Sequence, residues 1–262
     1  MDITVGGKAG FAATGGQPFK AGQPTIVFIH GGGLDHSVWA LQTRYFAYHG
    51  RNVLAVDLPG HGRTAGPVLT TIEANADWVM ALLDALDVET AALVGHSMGS
   101  LVAFDAAARY PARITALALL GTSIPMPVAD MLLDSAAEGE HAAFDMVTLW
   151  GHSRDGQTGS NRAPGLWMTG AAVTLLERSG PGVLHACLKA ANDYRHGLDL
   201  AGDITCPTLL LLGERDAMTP AKAAKPLAAA IPDARVTILP ACGHMMMSEQ
   251  PDQVLDELIS IL

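Results

Sequence analysis

Cysteine is scarce: the chain has three, Cys187, Cys206 and Cys242, an odd number with no CxxC pair. That excludes a disulfide framework and a zinc ribbon, and leaves buried small side chains in a reducing compartment. Charge is also low, at 16% against 49% apolar residues, which rules out a disordered chain. Positive charge is the scarcer sign. Sixteen Lys and Arg face twenty-six Asp and Glu, for a net charge of −10. Such a surface repels phosphate backbones and anionic lipid, so neither nucleic acid nor membrane is expected as a partner. An acidic substrate is not excluded, because one local Arg can outweigh a distant net charge. No uncharged apolar run reaches membrane-spanning length, and Met1-Asp2-Ile3-Thr4 opens no basic-then-apolar leader. A cytoplasmic location is expected. Internal repeats and low-complexity tracts are absent as well. What remains is a 262-residue chain able to bury one large core.

Six short apolar runs recur: Thr25–Ile29, Asn52–Val56, Ala91–Val94, Ile114–Leu120, Thr208–Leu212 and Arg235–Leu239. They lack alternation, as strands do when helices cover both faces of a parallel sheet. Helical patterns lie between them. Thr70-x-x-Glu73 reads as a capping box ahead of Ile72, Val79, Leu82, Leu83 and Leu86. Thr219-Pro220 reads as an N-cap followed by proline at the first helical position. Pro251 opens a last helix with Val254, Leu255, Leu258, Ile259 and Leu262 on one face. Alternating strand and helix predicts a doubly wound α/β architecture. Asp2–Val5 and Phe11–Thr14 predict a small antiparallel edge. The alternation breaks once, for nearly ninety residues after Leu120. Helical patterns at Val128–Ala137, Ala142–Trp150, Thr169–Ser179 and Val183–Tyr194 make this a helical cap inserted into the domain. One domain is expected, with its core at about 1–121 and 201–262 and the cap at about 122–200. Within the cap, Gly151–Gly165 is rich in Gly, Ser, Asn and Arg and is expected to be an irregular or mobile loop.

The chemistry sits at Gly95-His96-Ser97-Met98-Gly99, a G-x-S-x-G placed between an apolar strand and the helical Leu101–Tyr110. That context makes Ser97 a nucleophile on a strained strand-to-helix turn, with glycines where backbones nearly touch. A serine hydroxyl needs a base, and the base an orienting acid. Of ten histidines, His244 lies in Pro240-Ala241-Cys242-Gly243-His244, in the loop between the last apolar run and the last helix. Loops at strand carboxyl ends are where such sites collect their residues. Asp216, just past Leu212-Gly213-Glu214-Arg215, completes the order Ser, Asp, His. Glu214 is the rival acid, unless it pairs with Arg215. Ile29-His30-Gly31-Gly32-Gly33 resembles an HGGG oxyanion loop, so the oxyanion donors are expected to be the N–H groups of Gly32 and Met98. A dinucleotide turn is disfavoured, since His36 stands at the third glycine position and no GxxxxGK[ST] occurs.

Together, His30–Gly33 with Trp39 downstream, Asp57-Leu58-Pro59-Gly60-His61-Gly62, Gly95–Gly99, and Gly213–Asp216 with Gly243-His244 resemble the α/β-hydrolase superfamily along the whole chain. The resemblance implies that fold, a Ser-His-Asp triad and a helical cap. Haloalkane dehalogenases and epoxide hydrolases of the superfamily use an Asp nucleophile, so Ser97 disfavours both. Meta-cleavage C–C hydrolases often carry Asn before the serine, where this chain has His96. The Asp57–Gly62 turn is read as structural, its Pro and Gly setting conformation.

The expected function is carboxylic ester hydrolysis on a small-molecule substrate, without metal or organic cofactor. C–C bond hydrolysis, lactone hydrolysis, cofactor-free perhydrolysis and non-catalytic ligand reception remain alternatives. His30, His36, His61, His96, His141 and His152 show no metal-ligand spacing. Met126, Met131, Met146, Met168, Trp150 and Trp167 are read as local cap core, or as lining for an acyl or aromatic group. Arg154 and Arg162 are read as solvated loop charges rather than carboxylate anchors. Met245, Met246 and Met247 follow His244, where they can pack beside Ser97, but receive no role, and oligomeric state is not assigned.

Overall fold

A computed structural model describes residues 1–160 and 162–262. The strands are β1 (Asp2–Val5), β2 (Lys8–Ala13), β3 (Thr25–Ile29), β4 (Asn52–Asp57), β5 (Ala91–His96), β6 (Ile114–Leu120), β7 (Thr208–Gly213) and β8 (Arg235–Leu239). They form one sheet in the order β1-β2-β4-β3-β5-β6-β7-β8. β3 to β8 pair in parallel, and β1 and β2 add the antiparallel edge. Around the sheet run α1 (Ala40–Tyr48), α2 (Ile72–Ala85), α3 (Met98–Arg109), α4 (Asp130–Glu138), α5 (His141–Gly151), α6 (Arg154–Gln157), α7 (Met168–Arg178), α8 (Val183–Asp193), α9 (Lys225–Ala230), α10 (Met246–Glu249) and α11 (Pro251–Ile259). No helix among the described residues is long and apolar enough to cross a membrane.

The apolar runs become central strands because both faces are covered. β3, β4, β5 and β7 are buried at every position. One face packs on α2 and α3 through Val79, Leu83, Leu101 and Phe104. The other packs on α1 and α11 through Phe46, Val254 and Leu258. Each such side chain contributes about 1.5–3 kcal/mol by leaving water. β8 departs from the expectation of two covered faces. It is the sheet's far edge, and only Leu239 in it is buried.

Some local readings are corrected. β2 begins at Lys8 rather than Phe11, because Gly6 and Gly7 at positive φ turn the chain early. The cap of α2 is Thr71, not Thr70, with its side chain accepting from the Ala74 N–H. Thr219 caps no helix: its hydroxyl is turned inward, and Pro220 takes the N-cap position ahead of a 3-10 turn at Ala221–Ala224. Within Gly151–Gly165 one helical turn, α6, forms because the Ser153 hydroxyl accepts from Gly156 N; Asn161 of that stretch lies outside the described residues. Between β6 and β7 the chain carries α4 to α8, and residues of α4, α5 and α8 share a cavity with the strand-end loops.

Candidate active site

Ser97 joins β5 to α3 at φ 53° and ψ −123°, a backbone region that costs a side-chain-bearing residue about 1–3 kcal/mol. The surroundings hold it there. Ser97 N donates to Leu120 O at 2.9 Å, and its own carbonyl accepts from Ser100 N at 2.8 Å and Ser100 Oγ at 2.6 Å. Both motif glycines are sterically required. A Cβ at Gly95 would lie 2.1 Å from Gly99 O, and one at Gly99 would lie 2.4 Å from His30 O. Met98 opens α3, so its N–H has no carbonyl four residues back within the helix and is a ready donor.

The loop after β3 crosses directly above this turn. A Cβ on Gly31 would come 3.2 Å from Ser97 Cβ, and one on Gly32 only 2.7 Å from Cys187 Cβ on α8. Gly31, Gly32, Ser97, Met98 and His244 therefore line one cavity of about 210 Å³. The structure brings the expected oxyanion residues and nucleophile together.

His244 and Asp216 arrive from the loops after β8 and β7. His244 Nδ1 donates to Asp216 Oδ2 at 2.7 Å, with both side chains buried. Asp216 Oδ1 accepts from the N–H groups of Met218 at 2.9 Å and Thr219 at 2.7 Å. Burial alone would raise the Asp216 carboxyl, but the His244 charge and these hydrogen bonds outweigh it and hold the group below the usual carboxylate range. The Nδ1–H tautomer leaves His244 Nε2 a bare acceptor. That nitrogen is buried and makes no hydrogen bond to Ser97 or any other described residue. Such contacts commonly close only when substrate binds. Glu214, the rival acid, instead accepts from Ala241 N at 2.7 Å in an exposed turn, and Arg215 pairs with Asp155 at 3.0 Å.

Four supporting residues escaped the sequence reading. Thr219 Oγ1 donates to Asp216 Oδ2 at 2.7 Å and lies 3.1 Å from His244 Nδ1. His96 Nε2 donates to the His244 carbonyl at 3.0 Å. Full burial, reinforced by the neighbouring His244, pushes His96 down to about 3, so it stays neutral. Gly121, at φ 57°, leaves room for the His244 ring; a Cβ there would sit 2.9 Å from Nδ1. Glu249 on α10 is buried and accepts from Gly243 N and Ser153 N, each at 3.1 Å. It thus ties the loop bearing His244 to the segment after α5, and Met245 N donates to Gly151 O at the end of α5 at 2.8 Å. Glu249 is the one charged residue of α10, beside Met246, Met247 and Ser248.

The remaining candidates separate cleanly. Cys187 is buried as expected, yet it lines the cavity, with its thiol 3.3 Å from His61 Nε2. Burial pushes that thiol up to about 12 and His61 down to about 3, so both are neutral. Met126 and Trp150 line the cavity, whereas Met131 is 62% exposed. Arg154 and Arg162 are exposed and line no part of it. The structure does gather Asp35, His36 and Asp57 within 4.8 Å, a trio that spacing did not reveal. Both Asp57 oxygens are already engaged, Oδ1 by His36 N and Nδ1 and Oδ2 by Arg63 N, and Asp35 Oδ1 caps Ser37.

Comparison with known proteins fits this geometry. The model of the alpha/beta hydrolase fold family matches residues 24–251. The pimeloyl-[acyl-carrier protein] methyl ester esterase of Aromatoleum aromaticum is 34% identical over 256 residues, covering 88% of this chain and 94% of that protein. The 2-hydroxy-6-oxononadienedioate/2-hydroxy-6-oxononatrienedioate hydrolase of Paraburkholderia phymatum is 28% identical, covering 92% and 88%. Among solved structures, the enol-lactonase from Burkholderia xenovorans LB400 superposes with a TM-score of 0.87 at 25% identity, covering 100% and 99%.

Proposed function

The chain belongs to the α/β-hydrolase family and is an ester-cleaving hydrolase; from that premise we propose that it acts through an acyl-enzyme on Ser97 and takes esters with an uncharged, apolar acyl group. The observation that carries the mechanism is the state of His244: Nδ1 is held by Asp216 while Nε2 is buried, bare and in the cavity of Ser97.

His244 Nε2 takes the Ser97 proton as Oγ attacks the ester carbonyl. The N–H groups of Gly32 and Met98 receive the developing oxyanion, each worth about 3–4 kcal/mol in comparable sites. Asp216 keeps the imidazole in one tautomer and stabilises its cation. The proton passes to the departing alcohol. Water then attacks the acyl-enzyme with His244 as base, freeing the acid and restoring Ser97.

The lining supports the substrate class. No Lys, Arg, Asp or Glu is among the described residues of the cavity. Val128, Leu132, Val147, Trp150 and Leu188 supply an apolar wall. A dioate, as in the name of the Paraburkholderia phymatum relative, would find no countercharge there, and burying an unpaired carboxylate costs several kcal/mol. Lactones, which are cyclic esters, fall within the proposed chemistry.

The test treats wild type and Ser97→Ala with a fluorophosphonate, weighs both intact, and assays p-nitrophenyl butyrate. One adduct and hydrolysis in wild type alone support the assignment. Equal labelling of both proteins, or none of wild type, overturns it.

A further inference from the structure

Beside the cavity of Ser97 lies a second, larger one of about 490 Å³. Its walls are Leu41 of α1, Trp167, Ala171 and Leu175 at α7, and Met245 and Met247 after the last strand. None of its described lining residues is charged. Leu41 and Trp167 are 41% and 76% exposed, two large apolar side chains held in water on the same cavity. Trp167 owes its position to Gly170: a Cβ there would meet the indole at 2.2 Å, so the ring lies flat against the first turn of α7.

Met245 lines both cavities and is itself buried. Its backbone is fixed by the hydrogen bond to Gly151 O. Its side chain is unbranched with three rotatable bonds, the type that re-packs with least cost. Gly151 leaves this side chain room, since an added Cβ would touch Met245 Cγ at 3.4 Å. A fixed backbone that carries an unbranched side chain between two cavities has the makings of a partition. The Ser97 cavity alone, at about 210 Å³, is smaller than the 300–1,000 Å³ usual for ligand sites.

We propose that the second cavity holds the distal part of a long, uncharged acyl chain, and that displacement of the Met245 side chain joins it to the Ser97 cavity. The inference rests on the ester-cleaving reading. The acyl chain rather than the alcohol is assigned because it stays attached to Ser97 through deacylation, while the alcohol leaves after the first step. Binding surface that must serve both steps belongs to the group that stays. Leu41 and Trp167 then shield the chain's far end from water.

Two measurements test this. The first is the ratio of kcat/KM for p-nitrophenyl dodecanoate over butyrate in wild type, Met245→Ala and Ala171→Phe. Removing the partition is expected to raise the ratio, and plugging the cavity to lower it, each by about tenfold, the effect of losing or gaining burial of about two methylenes. The second needs no turnover. Methyl dodecanoate added to Ser97→Ala is expected to shift tryptophan emission to the blue by a part that is lost when Trp167→Phe is added, and that part should also vanish in Ser97→Ala with Ala171→Phe. Ratios unchanged in both variants, with emission unmoved, overturn the proposal. A response to lengthening the alcohol of acetate esters instead of the acyl chain also overturns it. A plug-sensitive emission shift without any ester turnover upholds the cavity and overturns the ester reading, so the two fail separately.

Discussion

Replacing Glu249 by alanine removes a carboxylate that satisfies two buried backbone donors, Gly243 N and Ser153 N, each at 3.1 Å. Hydrogen bonds to a charged acceptor contribute about 1.5–3 kcal/mol each. The carboxylate has no Lys or Arg ion pair among the described residues, so losing its burial penalty offsets part of this. The net expected loss is about 2–4 kcal/mol, or a urea midpoint lower by about 1 M. Activity is expected to suffer separately, because Gly243 precedes His244 and a misplacement of about 1 Å can cost about a hundredfold. A drop in kcat of about tenfold to a hundredfold with KM within threefold is therefore expected. Glu249→Gln is expected to fall between: its amide oxygen can accept one N–H, while its NH2 confronts the other. Urea unfolding by fluorescence and steady-state ester hydrolysis, on the same preparations, supply both numbers. Alanine within 0.5 kcal/mol and twofold of wild type would refute the clamp.

Asp216→Asn keeps the shape but loses the charge and the tautomer control. Its kcat is expected to fall by about three to four powers of ten; less than tenfold would point to another acid. Gly95→Ala places a methyl 2.1 Å from a backbone oxygen that cannot rotate away, so soluble folded protein should be lost or destabilised by about 3 kcal/mol or more; ordinary yield and melting would contradict the crossing described. Hydrogen bonding to Asp57 raises the His36 imidazole against its own burial. The folded value then exceeds the unfolded one, so this contribution is complete below about pH 6.5 and fades as pH climbs through the folded value. His36→Ala should accordingly cost more stability at pH 6 than at pH 9 in urea melts, and equal losses would count against the pair.

What could be read from the chain was whatever is local. The buried strands announce themselves as unbroken apolar runs. Ser97 lies inside a five-residue motif, and His244 and Asp216 follow from chain order and the loops that strands must end in. The supporting residues were not legible, because their partners are remote. His96 reaches His244 across 148 positions, and Glu249 reaches Ser153 across 96. Nothing near either residue marks the pairing. Thr219 was misread for a different reason: Thr followed by Pro is a helix-start pattern, and the buried Asp216 carboxylate outcompeted the helix for its hydroxyl. Thr71 took the cap from Thr70 by one position, a shift that side-chain type alone cannot resolve. The exposure of β8 depended on its place at the sheet edge, which composition does not encode.

The strand order has a temporal side. Ser97 follows a central strand, β5, whereas its acid and base hang from β7 and β8, which come later in the chain and lie last in line at one edge. During synthesis the serine emerges long before the groups that arm it. Until the carboxyl-terminal edge docks, the hydroxyl is as inert as any in water, and the half-built protein cannot acylate itself or its neighbours. Activity thus requires the whole sheet. In a refolding time course, hydrolysis is expected to appear last, after the sheet's spectroscopic signal has returned.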